Sequence, residues 1–149
     1  MKIGYFKGNA RGLYVTEFSK YHNALLKEMI FKPWGYCSNN NFSEIGDFKV
    51  NHFYVHSSTR PQTHEFRSEI IYCINGVLMV TNCKRREDLT NPKYTQILKP
   101  GKWSMTPAGM MHMHWTMDEE ADVLEIYPCG NYDETDINTF KSPSLKSLK

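Results

Sequence analysis

Hydrophobic and polar residues alternate along much of this chain in short runs, the two-residue period of β-strands whose faces meet different surroundings. From Phe48 to His56 aromatic and β-branched residues recur at alternate positions, and Ala121 to Tyr127 reads as a final strand. Ile70 to Thr81 is a further run, interrupted by Asn75-Gly76, the strongest short signal for a hairpin turn. Tyr94 to Leu98 leads into a turn at Pro100-Gly101, and Trp103 to Thr106 and His112 to Met117 flank Pro107-Ala108-Gly109. Short strands at this spacing predict a sandwich or barrel. One helix is expected near Lys20 to Ile30, where Ser19 could cap an apolar stripe of Leu25, Leu26, Met29 and Ile30; a strand leading to Pro33 is the alternative.

Both faces of Ile70 to Ile74 are apolar. Alternation sends Ile71 and Cys73 inward with Glu69, and Ile70, Tyr72 and Ile74 outward, where a sheet, the N-terminal segment or a second subunit must cover them. Composition narrows the setting. A length of 149 residues suits one domain, and the 40% hydrophobic content contains no run long enough to span a bilayer. The N-terminus lacks the order of a secretory signal, so the cytoplasm is the expected compartment. The net charge is +2, and Lys84-Arg85-Arg86 is diluted at once by Glu87 and Asp88, so no nucleic-acid partner is expected. Cys37, Cys73, Cys83 and Cys129 show no metal-binding spacing and read as reduced thiols packed as small hydrophobes.

Two stretches carry the chemistry. Gln62-Thr63-His64 with Glu69 and Gly76 reads QxH(x)4E(x)6G, and Gly101 through Pro107-Ala108-Gly109 to His112 reads G(x)5PxG(x)2H. Gln62 offers an amide oxygen, His64 and His112 imidazole nitrogens, and Glu69 a carboxylate, a set suited to zinc, iron(II), manganese, nickel or copper. Gln62 and His64 project to one face of an extended strand, whereas Glu69 falls on the opposite parity. The chain must therefore bend between Glu65 and Ser68, with Arg67 beside the bend. His114 shares a face with His112, while Met113, Trp115 and Met117 point away. Met105, Met110, Met111, Met113 and Met117 are expected to fill space around the barrel mouth, and Trp34, Trp103 and Trp115 to be core or interface aromatics. His22, His52 and His56 carry no spacing signal.

These stretches resemble the paired motifs of the cupin superfamily, with Gln62 where a first histidine is usual and Thr116 where an asparagine closes the second motif. Lys32-Pro33-Trp34-Gly35-Tyr36, Phe48-Lys49-Val50, the Gln62-x-His64-x-x-Arg67-Ser68-Glu69 run, Leu124-Glu125-Ile126, Gly130-Asn131-Tyr132 and Asp136-Ile137 are similar to the short cupin domain of type II mannose-6-phosphate isomerases. The resemblance implies an all-β double-stranded β-helix, or jelly roll, over residues 32–140, with an N-terminal extension (1–31) packed outside it and a flexible tail (141–149). It implies a divalent metal, zinc foremost, held by Gln62, His64, Glu69 and His112. It also implies aldose–ketose isomerisation of a sugar phosphate, and a homodimer.

In that reaction the metal acts as a Lewis acid on a substrate oxygen while a base moves a proton between neighbouring carbons. Glu125 and His114 are the candidates for proton transfer, and Lys49 and Arg67 for gripping phosphate, Arg67 alternatively pairing with Glu65 at the surface. The arginine expected after Asp136-Ile137 is replaced by Asn138-Thr139-Phe140, and Ile70 stands where histidine is usual. Another sugar isomerase or epimerase therefore remains open. So do a dioxygenase or lyase using His64, Glu69 and His112 as a two-histidine, one-carboxylate site, and a sugar-binding cupin without turnover.

Overall fold

The computed structural model describes residues 30–42, 46–128 and 135–143, so the expected helix and most of the N-terminal extension lie outside the described residues. Two antiparallel sheets form the jelly roll. One contains β1 (Ile30–Lys32), β2 (Gly35–Phe42), β3 (Gly46–Phe53), β5 (Glu69–Gly76), β8 (Trp103–Thr106) and β10 (Ala121–Tyr127), ordered β1-β2-β3-β10-β5-β8. The other contains β4 (Gln62–Thr63), β6 (Leu78–Cys83), β7 (Thr95–Leu98), β9 (Met111–Trp115) and β11 (Asn138–Thr139), ordered β11-β4-β9-β6-β7. Ala121 to Tyr127 is thus not the last strand, since β11 follows and pairs Thr139 with Gln62. Ile30 to Lys32 also pairs with β2, so the sheet begins before residue 32.

Asn75-Gly76 does not make the expected hairpin. β5 and β6 are consecutive but lie in opposite sheets, and the chain crosses between them at Val77. Gly76 has φ of +74°, and a Cβ there would lie 1.7 Å from the carbonyl oxygen of Glu120, just before β10. The glycine therefore serves both a left-handed backbone and close contact with a neighbouring strand. The apolar alternation on either side is satisfied by two sheet faces instead of one.

The main core lies between the sheets. Phe53, Ile71, Cys73, Ala121 and Val123 from one meet Leu78, Val80 and Leu98 from the other, with Trp34 stacked on Phe53 at 4.7 Å. Each fully buried aliphatic or aromatic side chain contributes roughly 1.5–3 kcal/mol. A second cluster covers the outer face of the five-stranded sheet: Met79, Cys83, Leu89, Met111, Met113 and Trp115, with Met117 against it. Leu89 and Tyr94 reach it from the 3-10 turns Arg86–Thr90 and Pro92–Tyr94. Met111 and Met113 therefore do not fill the barrel mouth; they pack on the outer face, as strand parity requires for Met113, because β9 gives its inner face to His112 and His114. Met105 is exposed. Among the described residues no helix is long and apolar enough to cross a membrane.

Candidate metal centre

The first motif reaches one end of the fold through β4, after which the chain bends at Glu65 and Phe66 as the spacing requires. Asp136 holds that bend from the far end of the chain: its carboxylate accepts hydrogen bonds from the backbone N–H of Glu65 (2.6 Å) and of Phe66 (3.1 Å). The Asp136 carbonyl lies 2.5 Å from Nδ1 of His64. A carbonyl only accepts, so Nδ1 carries the proton and Nε2 keeps its lone pair. Gly109, in the turn before His112, donates its N–H to the His64 carbonyl at 2.6 Å. His112 stands opposite Gln62 in the β4–β9 pair, and its Nδ1 donates to the Met110 carbonyl at 3.1 Å. It too presents a lone pair at Nε2 when neutral.

Those lone pairs converge on Glu69, the first residue of β5. Oε1 lies 2.8 Å from His112 Nε2, and Oε2 lies 3.6 Å from His64 Nε2. One ligand atom from each of the three residues falls within 4.8 Å of the others, and all three residues are buried. With both histidines neutral and protonated at Nδ1, neither buried carboxylate oxygen of Glu69 has a hydrogen-bond donor. Leaving a buried carboxylate without donors is costly, and a cation among these atoms removes the cost. The donor set therefore fits a divalent metal. Gln62 places its amide nitrogen 3.0 Å from His112 Nε2; the two ends of an amide are assigned from such contacts, so its oxygen has the same reach.

The electrostatics follow from burial and from each other. Burial alone would raise the Glu69 carboxyl, but His112 first, then a hydrogen bond with Glu125 and the nearby His64, outweigh it and hold the group at about 2. Burial would lower His112, yet Glu69 reverses the sign and raises it. His64 is lowered, by burial first. His114 is pushed down to about 3, by burial and then by His112, so it is neutral near neutrality. Its Nε2 is buried without a hydrogen bond, 3.5 Å from Glu69 Oε1, outside the close trio.

Glu125 faces the same interior from β10. Tyr127 donates its hydroxyl to Oε1 at 2.7 Å and Asn51 its amide to Oε2 at 2.6 Å. Burial first, and then Glu125 itself, raises the Tyr127 hydroxyl well above its ordinary value, so it remains a donor. Arg67 is not at the surface beside Glu65. It is 5% exposed, its guanidinium lies 5.1 Å over the Tyr127 ring, and its Nη2 is 3.2 Å from His64 Nε2. Lys49 lies over the same ring at 5.7 Å. A cavity of 590 Å³ opens above, lined by Gln62, Arg67, His114, Glu125 and Lys49 among others.

All eight sequence candidates thus meet at one end of the barrel. Sequence reasoning missed Asn51, Tyr127 and Asp136. Tyr127 shares the parity of Glu125 and was within reach of the same logic; Asn51 and Asp136 enter only through long-range pairing. Three of the four cysteines, Cys37, Cys73 and Cys83, are buried free thiols, and Cys129 lies outside the described residues.

A protein-family model described as Cupin matches residues 39–148. No curated protein matches the chain. Among solved structures it is similar to oxalate decarboxylase from Bacillus subtilis at 16% identity and TM-score 0.62, over 76% of this chain and 30% of that one. It is similar to the capsular polysaccharide assembling protein CapF from Staphylococcus aureus at 11% identity and TM-score 0.62, over 76% and 34%. It is also similar to KdgF from Halomonas sp. at 16% identity and TM-score 0.56, over 68% and 86%. At these identities the likeness is one of fold, and the chain spans about a third of the first two proteins.

Proposed function

The chain belongs to the cupin family, and on that premise we propose that it is a metal-dependent enzyme isomerising an anionic sugar, a reaction like that of mannose-6-phosphate isomerases. One observation carries the reading. A buried cluster suited to a cation (His64, Glu69 and His112) adjoins a second, separately held carboxylate, Glu125, in a cavity lined by Lys32, Lys49, Arg60 and Arg67.

A divalent metal held by His64, Glu69 and His112, with Gln62 as a further donor and zinc as the expected ion, would supply Lewis-acid polarisation of a substrate oxygen. Glu125 is the general base: Asn51 and Tyr127 fix both its oxygens, and it takes the proton from one carbon of the sugar and returns it to the neighbouring carbon. Arg67 and Lys49, over the Tyr127 ring, set a positive potential where negative charge develops on the substrate. Neutral His114 is a poor acid at neutral pH and serves to orient and to exclude water.

A second reading has its own observation. The amide nitrogen of Gln62 is the end placed against His112. An amide that presents its nitrogen is no ligand, and once an ion takes the His112 Nε2 lone pair from it, two histidines and one carboxylate remain, the ligand set of non-haem iron enzymes, from which oxygenase or lyase chemistry follows.

Elemental analysis of protein purified without chelator or histidine tag separates the readings, with a Glu69→Ala, His112→Ala double variant alongside. About one zinc per chain, lost in the variant, together with conversion of mannose 6-phosphate to fructose 6-phosphate, is the expected result. Iron without isomerisation favours the second reading, and no metal in either protein overturns both. The chain is further proposed to be a homodimer. Trp103 and Met105, 61% and 48% exposed, extend the outer apolar face of Ile70 and Tyr72 to an edge strand, and sedimentation as a monomer at micromolar concentration refutes it.

A further inference from the structure

The four basic residues of the cavity fall into two tiers. Lys49 and Arg67 belong to the floor, both over the Tyr127 ring, with Arg67 against His64. Lys32, at the end of β1, and Arg60, two residues before β4, line the same cavity but are exposed. Neither has an ion-pair partner among the described residues. The groups of the floor are already committed: Arg67 lies against His64 and the Tyr127 ring, and Glu125 is held there by Asn51 and Tyr127 as the base. The mouth has two exposed cations and no carboxylate, since Glu125, the one carboxylate among the described lining residues, is buried at the floor.

We propose that Lys32 and Arg60 form an anion clamp at the cavity mouth that grips the phosphate of a small substrate whose reacting end rests on the floor. The identity of that substrate as a sugar phosphate rests on the isomerase reading; the clamp does not. Arginine offers a planar fork that matches two phosphate oxygens, and lysine adds a point charge. The hydroxyl residues Ser58, Thr59 and Ser142 also line this cavity, and Trp34 and Ile137 supply apolar wall. A volume of 590 Å³ lies within the range of roughly 300–1,000 Å³ common for small-ligand pockets. The assignment moves phosphate recognition from Arg67, already engaged at the floor, to two residues that the motifs do not mark for that role.

The test uses the full metal-loaded chain as wild type, Lys32→Gln, Arg60→Gln, the double variant and Lys49→Gln. Calorimetry with inorganic phosphate, mannose 6-phosphate and mannose is run beside metal analysis of each protein. The wild type should bind both phosphate-bearing probes, each single clamp variant about tenfold more weakly and the double variant about a hundredfold. Mannose binding and metal content should not change. Absence of phosphate binding in the wild type overturns the clamp, as does undiminished binding in the double variant with loss in Lys49→Gln. If the double variant alone loses inorganic phosphate while no protein isomerises mannose 6-phosphate, the clamp stands and the isomerase reading falls. Isomerisation by the double variant with unchanged KM has the reverse meaning.

Discussion

Replacing Gly76 with alanine should cost far more than the same change at Gly109, although both residues have left-handed φ values, +74° and +77°. An L-residue in that conformation costs about 1–2 kcal/mol. At Gly109 nothing lies within 4 Å of the added Cβ, so that term is the whole effect. At Gly76 the Cβ would stand 1.7 Å from the carbonyl oxygen of Glu120 and 3.1 Å from the Cα of Ala121. Those are backbone atoms, and no side chain can swing aside. The contact must open by more than an ångström, in a strand where Ala121 pairs with Gly76 and Val77 donates to the Glu120 carbonyl at 3.3 Å. Ala121 and Val123 are fully packed, so the shift propagates into the core at a cost of roughly 1–3 kcal/mol. Gly76→Ala should therefore lose about 2–5 kcal/mol in all and Gly109→Ala about 1–2 kcal/mol. Urea denaturation followed by tryptophan fluorescence measures both. Losses equal within about 0.5 kcal/mol would refute the role assigned to close approach.

Three further outcomes follow from the site and its surroundings. In chelator-treated protein, Glu69 is held at about 2 because His112, Glu125 and His64 together outweigh burial, so its stabilisation is full above the ordinary carboxyl value and disappears as pH falls toward 2. His112 is raised, so its share is present below the ordinary histidine value and is lost as pH rises through the folded one. Denaturation across this range should show a stability plateau in mildly acidic solution that Glu69→Gln flattens; an unchanged profile in the variant contradicts the pairing. Asp136→Ala removes the acceptor for two exposed backbone N–H groups at the bend, which water can then satisfy, and should cost about 0.5–1.5 kcal/mol. It should also weaken metal binding by roughly 10–100-fold in competition with a chelator, through loosened support of His64. Burial pushes the Cys73 thiol up to about 11 and also raises Cys83. With Cys37 buried as well, these three should react with a thiol reagent only on unfolding, and fast reaction of more than one thiol in the native protein would contradict this.

The faces of the strands were legible because side-chain parity is local. His112 and His114 point inward and Met113 and Trp115 outward on β9, and the five-residue step from His64 to Glu69 demanded the bend that Glu65 and Phe66 make. What parity cannot tell is which sheet a strand joins. Asn75-Gly76 carries the same signal in a tight hairpin as in a crossing between sheets, and the contact with Glu120 that distinguishes them is remote in sequence. β2 went unrecognised because Ser38-Asn39-Asn40-Asn41 has low strand propensity, yet it pairs along its whole length with β3. The grip of Asn51 on Glu125 and that of Asp136 on the bend span more than seventy residues, beyond any local pattern. The donor types and their spacing were in the sequence; the groups that aim them were not.

The two bonds that anchor His64, its carbonyl to the Gly109 N–H and its ring to the Asp136 carbonyl, have a consequence for the order of events as the chain folds. Segments from the first motif, the second and the C-terminal stretch must all arrive before this imidazole is fixed, and contacts of such long range close late. A nascent chain that has not yet exposed Asp136 would hold the residues for a metal without the frame to orient them. Ion capture would then be a finishing step that seals an already paired barrel instead of a nucleus that starts it. In stopped-flow refolding, the signal of a metal-sensitive dye should lag behind the far-ultraviolet signal of sheet formation.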